Sequence, residues 1–208
     1  MAKVDSIYDA ITAGNRKQVA EEVQALADQE GDCVVLLNDT MIPAMRDIGE
    51  RFSRNEVYVP EMLIAARAMQ AGLDIIEPIL AAGGHKARAR VALGTVKGDL
   101  HDIGKNLVGM MLKGAGYEVD DLGVDCSVEK YEEAVTNGAS VICLSALLTT
   151  TMPYMKTVAE KFRGRDDVKI LVGGAPVTKE YAQEIGADGY GADANQAVTE
   201  LEKLLATA

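Results

Sequence analysis

Asp99 and His101 stand two residues apart in the run Asp99-Leu100-His101-Asp102-Ile103-Gly104, directly after the apolar stretch Val91-Ala92-Leu93-Gly94-Thr95-Val96. This order puts an imidazole on the loop where a buried strand hands over to a helix. A carboxylate two residues earlier is placed to hold one ring nitrogen while the other meets a ligand. Metal-binding histidines usually have such a partner behind them, which fixes the tautomer and raises the basicity of the ring. The only other histidine, His85, lies in Gly83-Gly84-His85-Lys86-Ala87-Arg88, which reads as a linker. The competing reading of His101 is a solvated polar residue on a loop, so its chemistry depends on what the fold brings beside it.

Beyond residue 90 apolar strand patterns alternate with helical ones. Strands are expected at Val91 to Val96, Tyr117 to Leu122, Ser140 to Ser145, Lys169 to Val172 and Gly189-Tyr190. Helices are expected from about Gly104, Val128, Met152, Thr178 and Asn195. Five strands alternating with helices predict an α/β domain with a doubly wound parallel sheet, which binds ligands at the carboxyl ends of its strands. The unusual residues fall on that edge: Asp99 to Gly104 after the first strand, Ser145-Ala146-Leu147-Leu148 and Thr149 to Thr151 after the third, Gly173-Gly174-Ala175-Pro176 after the fourth, and Gly191-Ala192-Asp193 after the fifth. In the flavodoxin-like order 2-1-3-4-5 the first and third strands are neighbours, so His101 and Ser145 should face one crevice.

The first 82 residues carry helical spacing throughout: Val4, Ile7, Tyr8 and Ile11; then Val19, Val23 and Leu26; then a helix capped by Asp32 and bent by Pro43; then a long helix from Pro60. These predict a four-helix bundle over residues 1–82, a small and basic linker over 83–90 and the α/β domain over 91–208.

Composition bounds the function. The formal net charge of -11 leaves no basic face for a phosphate backbone, so nucleic acid is not an expected partner. No signal-peptide core is seen, and no stretch approaches the roughly 18 uncharged apolar residues of a membrane span, so a cytoplasmic protein without membrane contact is expected. Cys33, Cys126 and Cys143 share no C-x-x-C spacing and read as buried free thiols.

Three nucleotide or signalling readings fail on residues. Gly98 to Asn106 is one residue too long between its glycines for a P-loop, has Asn106 where a magnesium-binding hydroxyl is required, and carries two aspartates that would repel phosphate. No G-x-G-x-x-G follows the first strand. A phosphorelay receiver would need an aspartate where Ser145 stands.

The ordered set D-x-H-x-x-G (Asp99, His101, Gly104), S-x-L (Ser145, Leu147) and G-G (Gly173, Gly174) resembles the corrinoid-binding domain of cobalamin-dependent methionine synthase, of base-off mutases and of small corrinoid proteins of methyltransferase systems. Ile48-Gly49-Glu50-Arg51-Phe52, Glu56 to Met62 and Ala65-Ala66-Arg67-Ala68-Met69 resemble the helical cap found upstream of that domain in methionine synthase and the small proteins. Mutases lack the cap and join the domain to a substrate barrel that 208 residues cannot contain. The resemblance therefore points to a stand-alone carrier.

The resemblance implies a cobalt corrinoid bound with its own base withdrawn, with His101 as the lower axial metal ligand, oriented by Asp99 and through it by Ser145. It further implies that His101 leaves when the cobalt is reduced and returns when it is methylated, with Asp99 and Ser145 holding the displaced proton. Gly104, Gly173 and Gly174 would let the nucleotide tail pass, with Leu147, Thr149, Val172, Tyr190 and Ala192 as walls. Phe52, Val59 and Met62 would cover the methyl-bearing face, or else belong to the bundle core. Gly83-Gly84 to Ala89 is the expected hinge for the cap.

On this reading the chain is the carrier subunit of a multicomponent methyltransferase rather than a complete enzyme. It would take a methyl group from a substrate-specific methyltransferase acting on methanol, methylamines, betaines or aryl methyl ethers. A methylcorrinoid-dependent methyltransferase would pass it to tetrahydrofolate or coenzyme M, and a reductive activase would be the third partner. The alternative class is a sensory or regulatory corrinoid-binding module.

Overall fold

Apolar residues at helical spacing build the N-terminal part of the computed structural model, which describes residues 4–84 and 87–206. Helix α1 (Asp5–Thr12) buries Ile7, Ala10 and Ile11. Helix α2 (Arg16–Asp28) starts at Asn15, whose side chain accepts the Gln18 N–H at 3.2 Å, and buries Val19 and Val23. Asp32 caps the next helix as expected, accepting the N–H groups of Val34 and Val35 at 3.0 Å.

That third helical stretch comes in three pieces: α3 (Cys33–Leu36), a π-helical turn (Leu37–Met41) and α4 (Ile42–Ser53). The expectation of one helix bent at Pro43 is corrected here. A proline inside a regular α-helix removes a hydrogen bond and drives its ring into the carbonyl four residues back, Asp39 in this chain. The wide turn just before Pro43 opens that spacing, and helical geometry resumes at Ile42. At the far end of α4, Asn55 adopts φ 59°, a left-handed conformation that stops the helix.

Helix α5 (Val59–Ala82) has Pro60 in its first turn, and Glu61 Oε2 accepts the Tyr58 N–H at 2.8 Å. Its buried face is rich in small residues, Ala65, Ala66, Ala68 and Gly72. These let neighbouring helices come close: a Cβ on Gly72 would lie 2.7 Å from Met41 Cε and 3.1 Å from Val19 Cγ1.

The chain divides into two units, the first comprising residues up to Arg88 together with Lys113–Gly116, the second Ala89–Leu112 and the residues from Tyr117 onward. Of the expected linker, His85 and Lys86 lie outside the described residues.

The second unit alternates β1 (Arg90–Val96), α6 (Ile103–Gly114), β2 (Glu118–Cys126), α7 (Val128–Thr136), β3 (Val141–Ser145), α8 (Pro153–Phe162), β4 (Lys169–Gly173), α9 (Lys179–Ile185), β5 (Gly189–Gly191) and α10 (Ala194–Ala206). All pairings are parallel in the order β2-β1-β3-β4-β5, the order the sequence pattern predicts. Strands covered on both faces must be apolar along their length, which is why β1, β3 and β4 read as continuous hydrophobic runs. Ile142, Leu144, Ile170 and Val172 pack with Met155, Val158 and Phe162 in one core.

The carboxyl ends line up. Thr95 is opposite Ser145, Ser145 opposite Gly173, and Gly173 opposite Gly191, so four strand ends form one row.

Strand β2 is the least regular and runs past Leu122, where the sequence pattern ends it. Against β1, Leu93 pairs with Asp121, Gly94 with Gly123 and Val96 with Cys126, with a register shift in each interval. Gly123 and Asp125 both have positive φ, 82° and 51°. Polar and glycine residues at these bulges hide the strand from a reading based on apolar alternation.

Tyr131 of α7 is fully buried, and its hydroxyl meets only the Cys126 thiol, a weak partner, among the described residues. That oxygen lies 2.6 Å from where a Cβ on Gly94 would stand. A buried hydroxyl facing a thiol recovers little of the free energy of its lost hydration. Tyr131→Phe should therefore stabilise the protein by about 1 kcal/mol, read as a higher denaturation midpoint; a lower midpoint would contradict the assignment.

Candidate functional site

The loop from Lys97 to Asp102 leaves the sheet between strong structural anchors. Thr95 is fully buried, and its Oγ1 donates to the His101 carbonyl at 2.8 Å. The His101 N–H donates to Asp99 Oδ1 at 3.1 Å, and the His101 ring Nδ1 meets the same oxygen at 2.7 Å. One carboxylate oxygen therefore holds the residue by its backbone and by its ring.

The other oxygen is equally occupied. Asp99 Oδ2 accepts the N–H groups of Leu147 at 2.8 Å and Leu148 at 3.2 Å, and the Thr151 hydroxyl at 2.8 Å. The Asp99 side chain is completely buried. Burial alone would push its carboxyl up, but the hydrogen bonds from Leu147 N–H, the His101 ring, His101 N–H and Thr151 together hold it well below the usual carboxylate range. An ionised Asp99 can only accept, so Nδ1 must carry the ring proton. Nε2 is left with its lone pair and with no partner among the described residues.

The ring is 51% exposed, while the carboxylate behind it is wholly covered. The loops that carry and support it also hold exposed large apolar residues: Leu100 (72% exposed), Ile103 (80%), Leu147 (44%) and Leu148 (41%). Exposed apolar residues gathered on the loops after β1 and β3 mark this strand-end edge as a binding face.

The expected site residues separate into groups. His101, Asp99 and Leu147 are brought together. Ser145 is half-buried in the row of strand ends, but the side-chain hydroxyl on Asp99 belongs to Thr151. The sequence pattern places Thr151 only within a threonine run; its role depends on the turn after β3, which carries it back to the carboxylate. Thr149 and Ala192 are exposed, Tyr190 is half-buried, and Val172 is in the sheet core. In the helical unit Phe52 is half-buried, Val59 is 36% exposed and Met62 is fully buried, as a core methionine is.

The glycines also separate. Gly174 has φ 129°, and a Cβ there would lie 1.9 Å from the Ala146 carbonyl oxygen; one on Gly173 would lie 2.8 Å from the Gly191 carbonyl oxygen. The protein's own backbone requires both. Gly104 is different: its φ is not positive, and a Cβ there would meet nothing within 4 Å. Neither conformation nor crowding within the protein requires that glycine.

Among the described residues no group of three or more His, Cys, Asp or Glu side chains is placed to hold a metal ion. A single oriented imidazole on an apolar platform instead fits a metal that arrives in a large flat ring carrying its own equatorial donors. The three cysteines are buried and unbridged, and burial pushes the Cys143 thiol up to about 12, so none offers a thiolate. No helix among the described residues is long and apolar enough to cross a membrane.

Comparison with known proteins agrees with this chemistry. Residues 89–199 match the family model described as a B12 binding domain, and residues 4–77 match a second model of the same description. The chain belongs to the B12-binding corrinoid proteins. A corrinoid protein of Desulfitobacterium hafniense is 39% identical over 99% of this chain and 98% of its own length. The trimethylamine corrinoid protein of Methanosarcina barkeri is 40% identical over 90% of each. Among solved structures, the methanol:cobalamin methyltransferase complex of M. barkeri contains a chain that superposes with a TM-score of 0.85 at 28% identity, over 98% of this chain and 79% of that one.

The depressed carboxyl of Asp99 makes stability depend on pH. A native pKa below the ordinary value of 3.8 contributes stability that is complete above that value and is lost as pH falls through it toward the native one. Asp99→Asn should be about 1–3 kcal/mol less stable than the parent near neutral pH, and the gap should close steadily below about pH 4. Denaturant midpoints measured across the acid range test this, and a gap independent of pH would refute it.

Proposed function

We propose that this chain carries a methyl group on a bound corrinoid, receiving it from a substrate-specific methyltransferase and delivering it to a methylcorrinoid-dependent methyltransferase that acts on tetrahydrofolate or coenzyme M. The observation that carries the reading is His101, held at Nδ1 by a buried carboxylate, with its ring half-exposed on an edge whose loops carry exposed leucine and isoleucine. The corrinoid is bound base-off, with His101 as its lower axial ligand and Gly104 giving room for the displaced tail. When bound, it supplies a cobalt centre that accepts and releases a methyl group. Phe52 and Val59 are the helical unit's proposed contacts with the cofactor, and a reductive activase is the proposed third partner.

The chain's own residues hold the proton that ligand exchange requires. His101 shares its Nδ1 proton with Asp99 Oδ1, so a change in the demand on Nε2 is felt at that carboxylate. Thr151 Oγ1 lies 2.8 Å from Asp99 Oδ2 and 2.9 Å from the Leu148 carbonyl oxygen, with one proton for two acceptors. The other donors keep Asp99 ionised whichever acceptor the hydroxyl chooses, so the carboxylate stays available to accept the Nδ1 proton throughout.

The donor class follows from partners rather than from this chain. Methanol, methylamines, betaines and aryl methyl ethers are the candidates. Methylated amines come first, because the trimethylamine corrinoid protein is so similar.

Two measurements test the proposal. Cobalamin-reconstituted protein should show a base-off spectrum with histidine coordinated, and His101→Ala should bind cobalamin but lose the coordinated-histidine signature. An unchanged spectrum in His101→Ala would overturn the ligand assignment. After chemical reduction of the bound cobalt, incubation with trimethylamine and its methyltransferase should methylate the corrinoid and release dimethylamine, and failure of the reduced protein with every donor class would overturn the carrier role.

A further inference from the structure

Strand β2 ends in a segment built to reach the histidine loop. Asp125, one of three non-glycine described residues with positive φ, sits at φ 51° within the second bulge. In this conformation its N–H donates to the Asp99 carbonyl at 3.0 Å, and its Oδ1 accepts the Gly98 N–H at 2.7 Å. Gly98 itself has φ 84°. One residue of a neighbouring strand therefore grips the backbone on both sides of the Gly98–Asp99 step, from which the Asp99 carboxylate reaches His101.

The bulged segment is itself anchored. Lys105, in the first turn of α6, is 3% exposed and pairs with Asp121, whose Oδ1 also accepts the Gly123 N–H at 2.9 Å. Left-handed backbone at a non-glycine residue is unfavourable, although Asp and Asn tolerate it better than other side chains. Bulges and such conformations concentrate where a strand has to aim a functional group. Nothing in the packing of β2 against β1 requires two bulges, whereas the grip on Gly98 and Asp99 does.

We propose that Asp125 is a positioning residue for His101: by clamping Gly98 and Asp99 it sets the direction of the Asp99 carboxylate, and so the tautomer and aim of the imidazole. It touches neither ring nor ligand. The inference rests on the proposed coordination by His101 only for its consequence at cobalt; the tautomer claim stands on the protein alone.

The test separates the clamp from the backbone conformation. Asp125→Asn keeps an acceptor and tolerates the left-handed conformation; Asp125→Gly keeps the conformation and removes the acceptor; Asp125→Ala disfavours both. In the cobalamin-free protein, ring ¹⁵N shifts report which nitrogen of His101 is protonated, and amide exchange reports the Gly98 bond. The parent and Asp125→Asn should hold the Nδ1–H tautomer with a protected Gly98 amide. Asp125→Gly and Asp125→Ala should lose that protection and mix the two tautomers.

In the cobalamin-loaded protein at fixed pH, the ratio of histidine-off to histidine-on absorption should rise about threefold or more in Asp125→Gly and Asp125→Ala, and stay near the parent in Asp125→Asn. An unmoved tautomer and ratio in Asp125→Gly, with thermal unfolding like that of the parent, would overturn the proposal, as would Asp125→Asn behaving like Asp125→Ala. A parent with no histidine-on signal would overturn the coordination instead, and the tautomer measurement would still decide the role of Asp125.

Discussion

A fully buried carboxylate with every lone-pair direction in use is the constraint around which the α/β unit is arranged. Asp99 receives donors from its own loop, from the His101 ring and from the turn after β3. A charge taken out of water is tolerated only when hydrogen bonds replace its hydration, and here those bonds tie two separate strand ends to one point. The imidazole inherits its tautomer and direction from that network. Thr95, from the strand itself, adds a fixed point at the His101 carbonyl.

Because β1 and β3 are neighbours in the sheet, the loops that follow them can share a residue; in any order that separated them, Leu147, Leu148 and Thr151 could not reach Asp99. The parallel sheet thus places its exposed apolar residues and its one free imidazole nitrogen on the same edge. This is the general behaviour of doubly wound sheets, which bind at the carboxyl ends of strands. The distinctive part is that an oriented imidazole shares this edge with exposed leucine and isoleucine, which suits a ligand that is mostly hydrocarbon with one electrophilic atom.

Much of this was legible in the sequence because it depends on local pattern. The alternation of strands and helices and the Asp99–His101 pair follow from apolar runs and a spacing of two residues, while the strand order rests on the flavodoxin-like fold class. Other features were not legible, for different physical reasons. Thr151 reaches Asp99 only through the path of a turn, and in one dimension nothing distinguishes it from Thr149 or Thr150. Met62 and Val59 sit on one helix, and only packing decides that the first is buried and the second exposed. Gly173, Gly174 and Gly104 look alike as letters, yet two are required by neighbouring backbone and the third is not. The bulges of β2 were hidden because aspartate and glycine there serve the loop beside them rather than the strand.

The wide turn at Leu37–Met41 has a geometric consequence for the end of α4. A π turn accommodates one residue more than the regular pitch, so the helix after it is out of phase with the helix before it by one residue, about 100° of rotation. Phe52 lies roughly three turns downstream. Deleting a single residue from the turn would restore a regular helix and leave Met45, Ile48 and Phe52 on their present azimuths, whereas tightening the turn to α geometry with no residue removed would rotate all three by about 100° and carry Met45 and Ile48 out of the core. The extra residue and the wide turn therefore compensate one another, and losing the turn alone is more damaging to the placement of Phe52 than losing both.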